Sequence, residues 1–323
     1  MSPIKIFLKC LENKKTYLAI SLGALIIFLL VAYVGFLNVW KKLKIIDPSL
    51  FLIIFALTVL GTIIAAIRFH FFLRVHRSRI KYKDVYHINT VGIVGNLLTL
   101  GDIGGDFFRI LLLKNYGIRA SRSITSVILI KILDFLIAMS LSIALAFLIF
   151  WNLNVLIPSL IFAFFLCFFV IVLLVRRGYV YRVVRKILSI VKIKEKPKKI
   201  DLPKSLAFAI VLLTFARWLI FGLQDYLVIN AFGLNLSFMI ILAIYSVNLF
   251  VITFSPLPLG IAEAATVGLY SYFGATLSEA MSIALIARTW VSFTLILLGV
   301  YSSLRIGLST IKMFNKTIKT EKN

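Results

Sequence analysis

The chain has 323 residues, of which 61% are hydrophobic and only 15% charged, with a mean hydropathy of +1.04. A soluble domain needs a far more polar surface, so most of this surface must face lipid. The formal charge of +24 does not point to nucleic acid, because the basic residues lie in short segments between apolar runs, the pattern of the positive-inside rule.

Met1 to Lys15 is basic. The apolar run after it, Tyr17–Leu37, is too long for a signal-peptide core and meets no small-residue cleavage site, so it reads as a retained first span. Further runs of spanning length are Leu50–Ile67, Ile124–Phe150, Leu156–Val175, Leu206–Val228 and Ala280–Ser303. About 20 apolar residues suffice for each crossing. Two stretches are shorter. Ile88–Leu100 runs into Gly101-Asp102-Ile103-Gly104-Gly105, and Met239–Phe254 runs into Ser255-Pro256-Leu257-Pro258-Leu259-Gly260. Each is followed by a second short helical stretch, Asp106–Tyr116 and Ile261–Phe273. Such broken pairs read as re-entrant hairpins, whose irregular backbone must be buried in protein or line a wet cavity.

The loop charges fit six crossings and two hairpins. Of the 36 basic residues, six fall in Arg68–His87 and eleven in Arg176–Lys204, while Asn230–Phe238 and Gly274–Glu279 carry none. Every strongly basic loop and both termini then lie on one side, expected to be the cytoplasm, with Lys41, Lys42 and Lys44 as the exception. The expected location is the plasma membrane. His70, His76 and His87 fall in a basic loop, read as exposed, and lack metal-ligand spacing. Cys10 and Cys167 give no disulfide framework.

Sliding the sequence by 157 positions aligns Asp106 with Glu263, Gly117 with Gly274, Ser121 with Ser278 and Lys131 with Arg288. Each half then reads span, span, broken hairpin, span. The expected organisation is one transmembrane repeat over residues 1–150 and a second over 151–323, the latter with a basic linker at 176–204 and a basic tail. Three crossings per half invert the second copy, an architecture shared with many secondary transporters. The expected fold is thus an all-α integral membrane bundle, an inverted repeat of two halves.

Ionisable groups inside spans cost roughly 2.5–3.5 kcal/mol each. Here they are Lys131, Asp134, Arg217, Asp225 and Arg288, with Asp106, Arg109 and Glu263 at the hairpins, four of each sign. Spacing pairs Lys131 with Asp134, Asp106 with Arg109, and puts Arg217 and Asp225 two turns apart on one face. One reading makes all eight internal ion pairs. The other lines a polar cavity with them: Arg109, Lys131, Arg217 and Arg288 bind a lipid headgroup, and Asp106, Asp134, Asp225 and Glu263 support those bases or carry a coupling proton. Arg217 and Arg288 suit an anion best, since guanidinium grips phosphate bidentately. Helices starting near Asp106 and Ile261 offer free N–H groups, although Asp106 and Glu263 are also placed to cap them. The linker, with Tyr179 and Tyr181, suits an amphipathic surface helix or a plain basic tether.

No Walker motif, Ser-His-Asp set, metal cluster or dinucleotide fingerprint occurs, so no cofactor, no metal and no direct ATP use are expected. Gly105-Asp106-Phe107-Phe108-Arg109 with Lys131-Ile132-Leu133-Asp134 resembles the first-half signature of the flippase-like transmembrane proteins. Pro258-Leu259-Gly260-Ile261-Ala262-Glu263-Ala264, then Phe273-Gly274, Glu279-Ala280 and Arg288, resembles their second half. This family includes the membrane region of lysylphosphatidylglycerol synthases. Its members usually carry Glu at Asp106 and Arg at Lys131, which keeps both charges, and a Pro-Gly-Gly-x-Gly break in place of Pro-Leu-Pro-Leu-Gly. The resemblance implies an inverted-repeat domain that moves lipids between leaflets. Only some twenty residues follow the last span, so the soluble aminoacyl-transfer domain of the synthases is not expected, nor is lysyltransferase activity.

The resulting expectation is a translocase, not an enzyme, acting on an anionic or phosphate-bearing lipid, one that could be glycosylated or isoprenoid-linked. Its partners are that lipid and the bilayer, without nucleic acid. The alternative is a non-transporting accessory subunit of a membrane glycosyltransferase or lipid-modifying enzyme. A third reading, a membrane transferase, would rest on Asp102 and Asp106.

Overall fold

The computed structural model describes residues 47–75, 78, 80–97, 103–151, 155–176, 179–190, 195, 202–254 and 258–321. The first apolar run, the Lys41–Lys44 cluster, Cys10, His76 and Asp102 lie outside them. Among the described residues there are ten helices and no strand: α1 Pro48–Val75, α2 Tyr82–Leu97, α3 Ile103–Asn115, α4 Ala120–Trp151, α5 Leu156–Arg176, α6 Tyr179–Ile190, α7 Lys204–Ala231, α8 Phe238–Phe254, α9 Pro258–Tyr272 and α10 Leu277–Glu321. Five of them, α1, α4, α5, α7 and α10, are long and apolar enough to cross a membrane. Large apolar side chains such as Phe162, Phe165 and Phe169 on α5 stand exposed on the outside of the bundle, where water would penalise them and lipid does not. The chain is an all-α polytopic membrane protein.

Helix ends follow local chemistry. Asp47 caps α1 by accepting a 2.8 Å hydrogen bond from the Ser49 N–H, with Pro48 in the first-turn position that proline tolerates. The hydrogen bonds from Ser49 hold the Asp47 carboxyl below its ordinary value. Helices α3 and α9 stop at Gly117 and Gly274, with φ of 72° and 98°. In each, the next residue's N–H reaches back to a carbonyl five residues earlier, Ile118 to Leu113 and Ala275 to Tyr270, a closure that favours glycine.

The four helices α1–α4 begin at residues 48, 82, 103 and 120, and α7–α10 at 204, 238, 258 and 277. The offsets are 156, 156, 155 and 157, close to the sequence register. The packing matches as well. Helix α1 packs on α2 as α7 does on α8, α3 on α4 as α9 on α10, and α2 on α10 as α8 on α4. The first hairpin, α2–α3, is drawn tight by glycine. A methyl on Gly105 would overlap the Gly92 carbonyl oxygen, and one on Gly95 would come within 3.0 Å of the Gly105 Cα. Gly104 and Gly105, expected in the break, lie inside α3. A glycine there serves helix–helix contact and not only chain reversal. Pro258 to Gly260, expected in the second break, are counted within α9, but Gly260 has a φ of 87°, so the expected break in the backbone persists at the start of that helix.

Helices α1 and α7 cross at the centre through a reciprocal clasp. Arg68 on α1 donates to Thr214 Oγ1 on α7 at 3.2 Å, and Gln224 on α7 donates to Thr58 Oγ1 on α1 at 2.6 Å. Residues 58 and 68 shifted by 156 are 214 and 224, so each half grips the other in the same way.

The helices outrun the apolar stretches that signal them. Helix α1 continues past Ile67 to Val75 and carries Arg68 and His70, expected in an exposed loop, into the interior. His70 is buried edge-on against Tyr82, with ring centroids 5.9 Å apart. His87, also expected to be exposed, is half-buried on α2 with its Nδ1 3.1 Å from Ser302 Oγ.

The linker carries a helix, α6, that is amphipathic. Val184 and Leu188 are buried on one face, while Arg182, Arg185 and Lys186 are exposed. Glu195, further along the linker, accepts hydrogen bonds from the N–H groups of Ala120 (3.3 Å) and Ser121 (2.9 Å), and so caps α4.

Candidate functional site

A cavity of about 330 Å³ lies between the two sets of four helices and is lined by residues from α1–α4 and α7–α10. All eight charged residues picked out in the sequence line it: Asp106, Arg109, Lys131, Asp134, Arg217, Asp225, Glu263 and Arg288. Their pairing differs from spacing expectations in two of three cases.

Asp106 on α3 accepts from Arg109 at 2.6 Å, the expected i,i+3 pair, and from Lys131 of α4 at 2.9 Å. Lys131 therefore does not pair with Asp134. Asp134 is taken by a cation from another helix: Arg68 clamps it bidentately, Nη1 to Oδ1 at 2.8 Å and Nη2 to Oδ2 at 2.9 Å. Arg217 adds a contact at 3.3 Å and the Trp218 indole N–H another at 3.3 Å. The cause is geometric, since a bidentate guanidinium matches a carboxylate better than a single ammonium can. Nor does Arg217 pair with Asp225. Eight residues along a helix is about 12 Å, too far for direct contact. Instead the Arg217 guanidinium lies 5.1 Å from the centre of the Phe221 ring. Asp225 faces the cavity with no ion pair or hydrogen bond among the described residues.

At the second hairpin, Glu263 is 3% exposed. Its Oε2 accepts the Gly260 N–H at 2.6 Å, holding the first turn of α9. Its Oε1 lies 3.4 Å from Arg288 Nε of α10, without hydrogen-bond alignment. The capping role and the ion pair thus coexist on one side chain. Asp106–Lys131 and Glu263–Arg288 are equivalent latches, each tying a hairpin to the long helix that follows it. Among the described residues no group of His, Cys, Asp or Glu side chains could hold a metal ion.

The family model described as the lysylphosphatidylglycerol synthase TM region matches residues 17–299. The chain belongs to this family. The match takes in both hairpins and every residue that lines the cavity, and agrees with the resemblance carried by the hairpin residues. No curated protein matches the chain. A membrane lipid-related role is consistent with membership of the synthase TM-region family.

For this member of the synthase TM-region family, sequence reasoning missed Arg68, only 2% exposed and the strongest partner of Asp134. Asn89, Asn96, Trp218 and Asn248 were missed as well. Asn96 Oδ1 accepts the Gly105 N–H at 2.7 Å inside the first hairpin. Asn248 donates to Thr266 Oγ1 at 2.9 Å inside the second. A signal for Arg68 did exist, because the 157-residue sequence register sets it against Asp225, itself one of the flagged charges. With Arg68 included, the lining carries five cations and four carboxylates.

Proposed function

We propose that this protein is a lipid translocase, not an enzyme, that admits an anionic or phosphate-bearing headgroup into the cavity between its halves while the tails stay in lipid. The carrying observation is that the cavity gathers five cations at the meeting point of two hairpins, inside a bundle whose outer face is apolar. Asp106, Asp134 and Glu263 hold these five cations in ion pairs without cancelling their charge. An entering phosphate takes over part of that role, as it too can bind guanidinium bidentately. Arg217 and Arg288 come from α7 and α10, and Arg109 and Lys131 from α3 and α4, so one headgroup would be contacted from both halves. Asp225 is the carboxylate free to act on the headgroup or a coupling proton.

In this reading the two hairpins enter from opposite faces, the basic linker and both chain ends lie on the cytoplasmic side, and the membrane is the plasma membrane. The test is reconstitution in liposomes with leaflet-selective labelling of a panel of phospholipids and lipid-linked sugars. The expected result is exchange faster than in empty vesicles, slowed about tenfold or more by the double variant Arg217→Gln, Arg288→Gln. Exchange at the empty-vesicle rate across the panel would sink the proposal, and a stably co-purifying membrane enzyme would then favour an accessory subunit.

A further inference from the structure

The cavity is electrically lopsided. Its charged side chains fall into two groups that can be traced through their contacts. In the first, Asp134 holds Arg68 and Arg217, Asp106 holds Arg109 and Lys131, and Lys131 and Asp134 sit one turn apart on α4. Among the described residues four cations face two carboxylates there, a formal +2. In the second, α9 presents Glu263, Thr266 and Tyr270 at i, i+3 and i+7, hence on one face. Glu263 meets Arg288, Thr266 meets Asn248, and the Tyr270 phenol lies within electrostatic reach of Asp225. One cation faces two carboxylates there, a formal −1. Arg217 and Asp225 mark the two ends on one helix, about 12 Å apart along its axis.

Unsatisfied hydrogen-bonding atoms follow the same division. Among the described residues, the Nε atoms of Arg68, Arg109 and Arg217 at the first end are buried donors without a partner. At the second end Gln224 Oε1, Asn248 Oδ1 and Glu263 Oε1 are buried acceptors without a hydrogen bond. The amide orientations of Gln224 and Asn248 are fixed by their neighbours. Gln224 Nε2 faces the Ile54 carbonyl, which can only accept. Asn248 Nδ2 faces Thr266 Oγ1, whose own proton goes to the Ala262 carbonyl. Buried polar groups left unpaired cost about 1–3 kcal/mol each, and a ligand that pairs them recovers that cost.

We infer that the cavity reads its ligand as a dipole, taking a phosphate at the Arg68, Arg109 and Arg217 end and a hydrogen-bond donor, ammonium or hydroxyl, at Asp225. This rests on the headgroup reading above and narrows it. Hydrogen bonds of about 3 Å at each end leave room for a phosphate and a donor joined by a short carbon chain, and not for a chain of sugars. Asp225 is the specificity-determining side chain, because among the described residues it alone of the four cavity carboxylates has no cation to hold it.

The experiment titrates purified protein in detergent with short-chain phosphatidic acid, phosphatidylglycerol and phosphatidylethanolamine, and reads bound lipid by intact-complex mass spectrometry. The expected result is that a donor-bearing lipid binds wild type about tenfold more tightly than phosphatidic acid. Asp225→Asn abolishes that preference, Asp225→Glu restores it, and Arg217→Gln weakens all three lipids. Preference for phosphatidylethanolamine alone identifies an ammonium, and preference for both donor lipids identifies hydrogen-bond donation in general. Equal binding of the three lipids by wild type, or an Asp225→Asn loss shared by all three, overturns the dipole while the Arg217→Gln result still supports a headgroup site. Absence of lipid binding, or binding indifferent to Arg217→Gln, overturns both readings. If Asp225→Asn does not yield a monodisperse protein, the wild-type preference and Asp225→Glu decide.

Discussion

The two hairpins occupy equivalent positions and use their charges differently. In the first, Asp106 is shared by Arg109 and Lys131, and the hairpin closes on glycine contacts between Gly92, Gly95 and Gly105. In the second, one oxygen of Glu263 holds the helix start, the other meets a single cation at 3.4 Å, and Thr266 stands in the register of Arg109. Their following helices differ too. Helix α10 caps itself through Thr276 and Glu279, which exchange hydrogen bonds with each other's N–H groups at 3.0 and 3.4 Å. Helix α4 has Arg119 and Arg122 in that register and borrows Glu195 from the linker. The backbone plan and the site of each latch are repeated, whereas the charge distribution is not. Geometry and electrostatics are therefore separable layers of this fold.

The sharpest way to break the comparison is to remove one carboxylate from each half. Asp134→Asn strands two guanidiniums, one of them almost fully buried, and is expected to cost about 3–5 kcal/mol. Glu263→Gln leaves Arg288, a quarter exposed, with a way to solvent in the cavity, and is expected to cost less than half as much. Thermal unfolding in detergent measures both, and equal losses would refute the asymmetry. Next comes glycine. Gly105→Ala forces α2 and α3 apart and is expected to destabilise by about 1–3 kcal/mol. Gly268→Ala on α9 has open space around the new methyl and should be neutral or stabilise by up to about 1 kcal/mol through helix propensity. A loss of stability for Gly268→Ala would show that the second hairpin is packed as tightly as the first. The smallest effect concerns the caps. Glu195→Gln weakens the hold on the start of α4 and should cost about 1 kcal/mol, seen as faster amide hydrogen exchange at Ala120 and Ser121. The exchange of α10 should be unchanged, since its cap is its own.

Much of this was legible in the sequence. Long apolar runs marked the described spans because a membrane-crossing helix must be apolar on nearly every face. The repeat register survived because its markers are charges and helix-ending glycines, which few positions tolerate. All eight flagged charges reached one cavity for the same reason, since an ionisable group at membrane depth needs polar company. Partner choice was not legible. Spacing along one helix suggested Lys131 for Asp134, but the winner was Arg68, 66 residues away and just past the end of its apolar run. Hydropathy ends a span where apolarity ends, whereas a helix ends where its hydrogen bonds do, so α1 carried Arg68 and His70 inward unseen. Asp225 showed the converse. Its expected partner was on the same face, but two turns of helix separate charges too far to pair.

The clasp at the crossing of α1 and α7 has the form of a contact between two copies of one chain, where residue i meets j and j meets i. In a true homodimer any substitution is written into both copies at once, so a central charge can only arrive as a symmetric pair, and like charges would face each other across the axis. Holding both copies in a single chain lifts that constraint. Position 68 is arginine and its counterpart 224 is glutamine, one cation where a homodimer would have two or none. Fusion is thus what permits a symmetric scaffold to enclose an asymmetric interior.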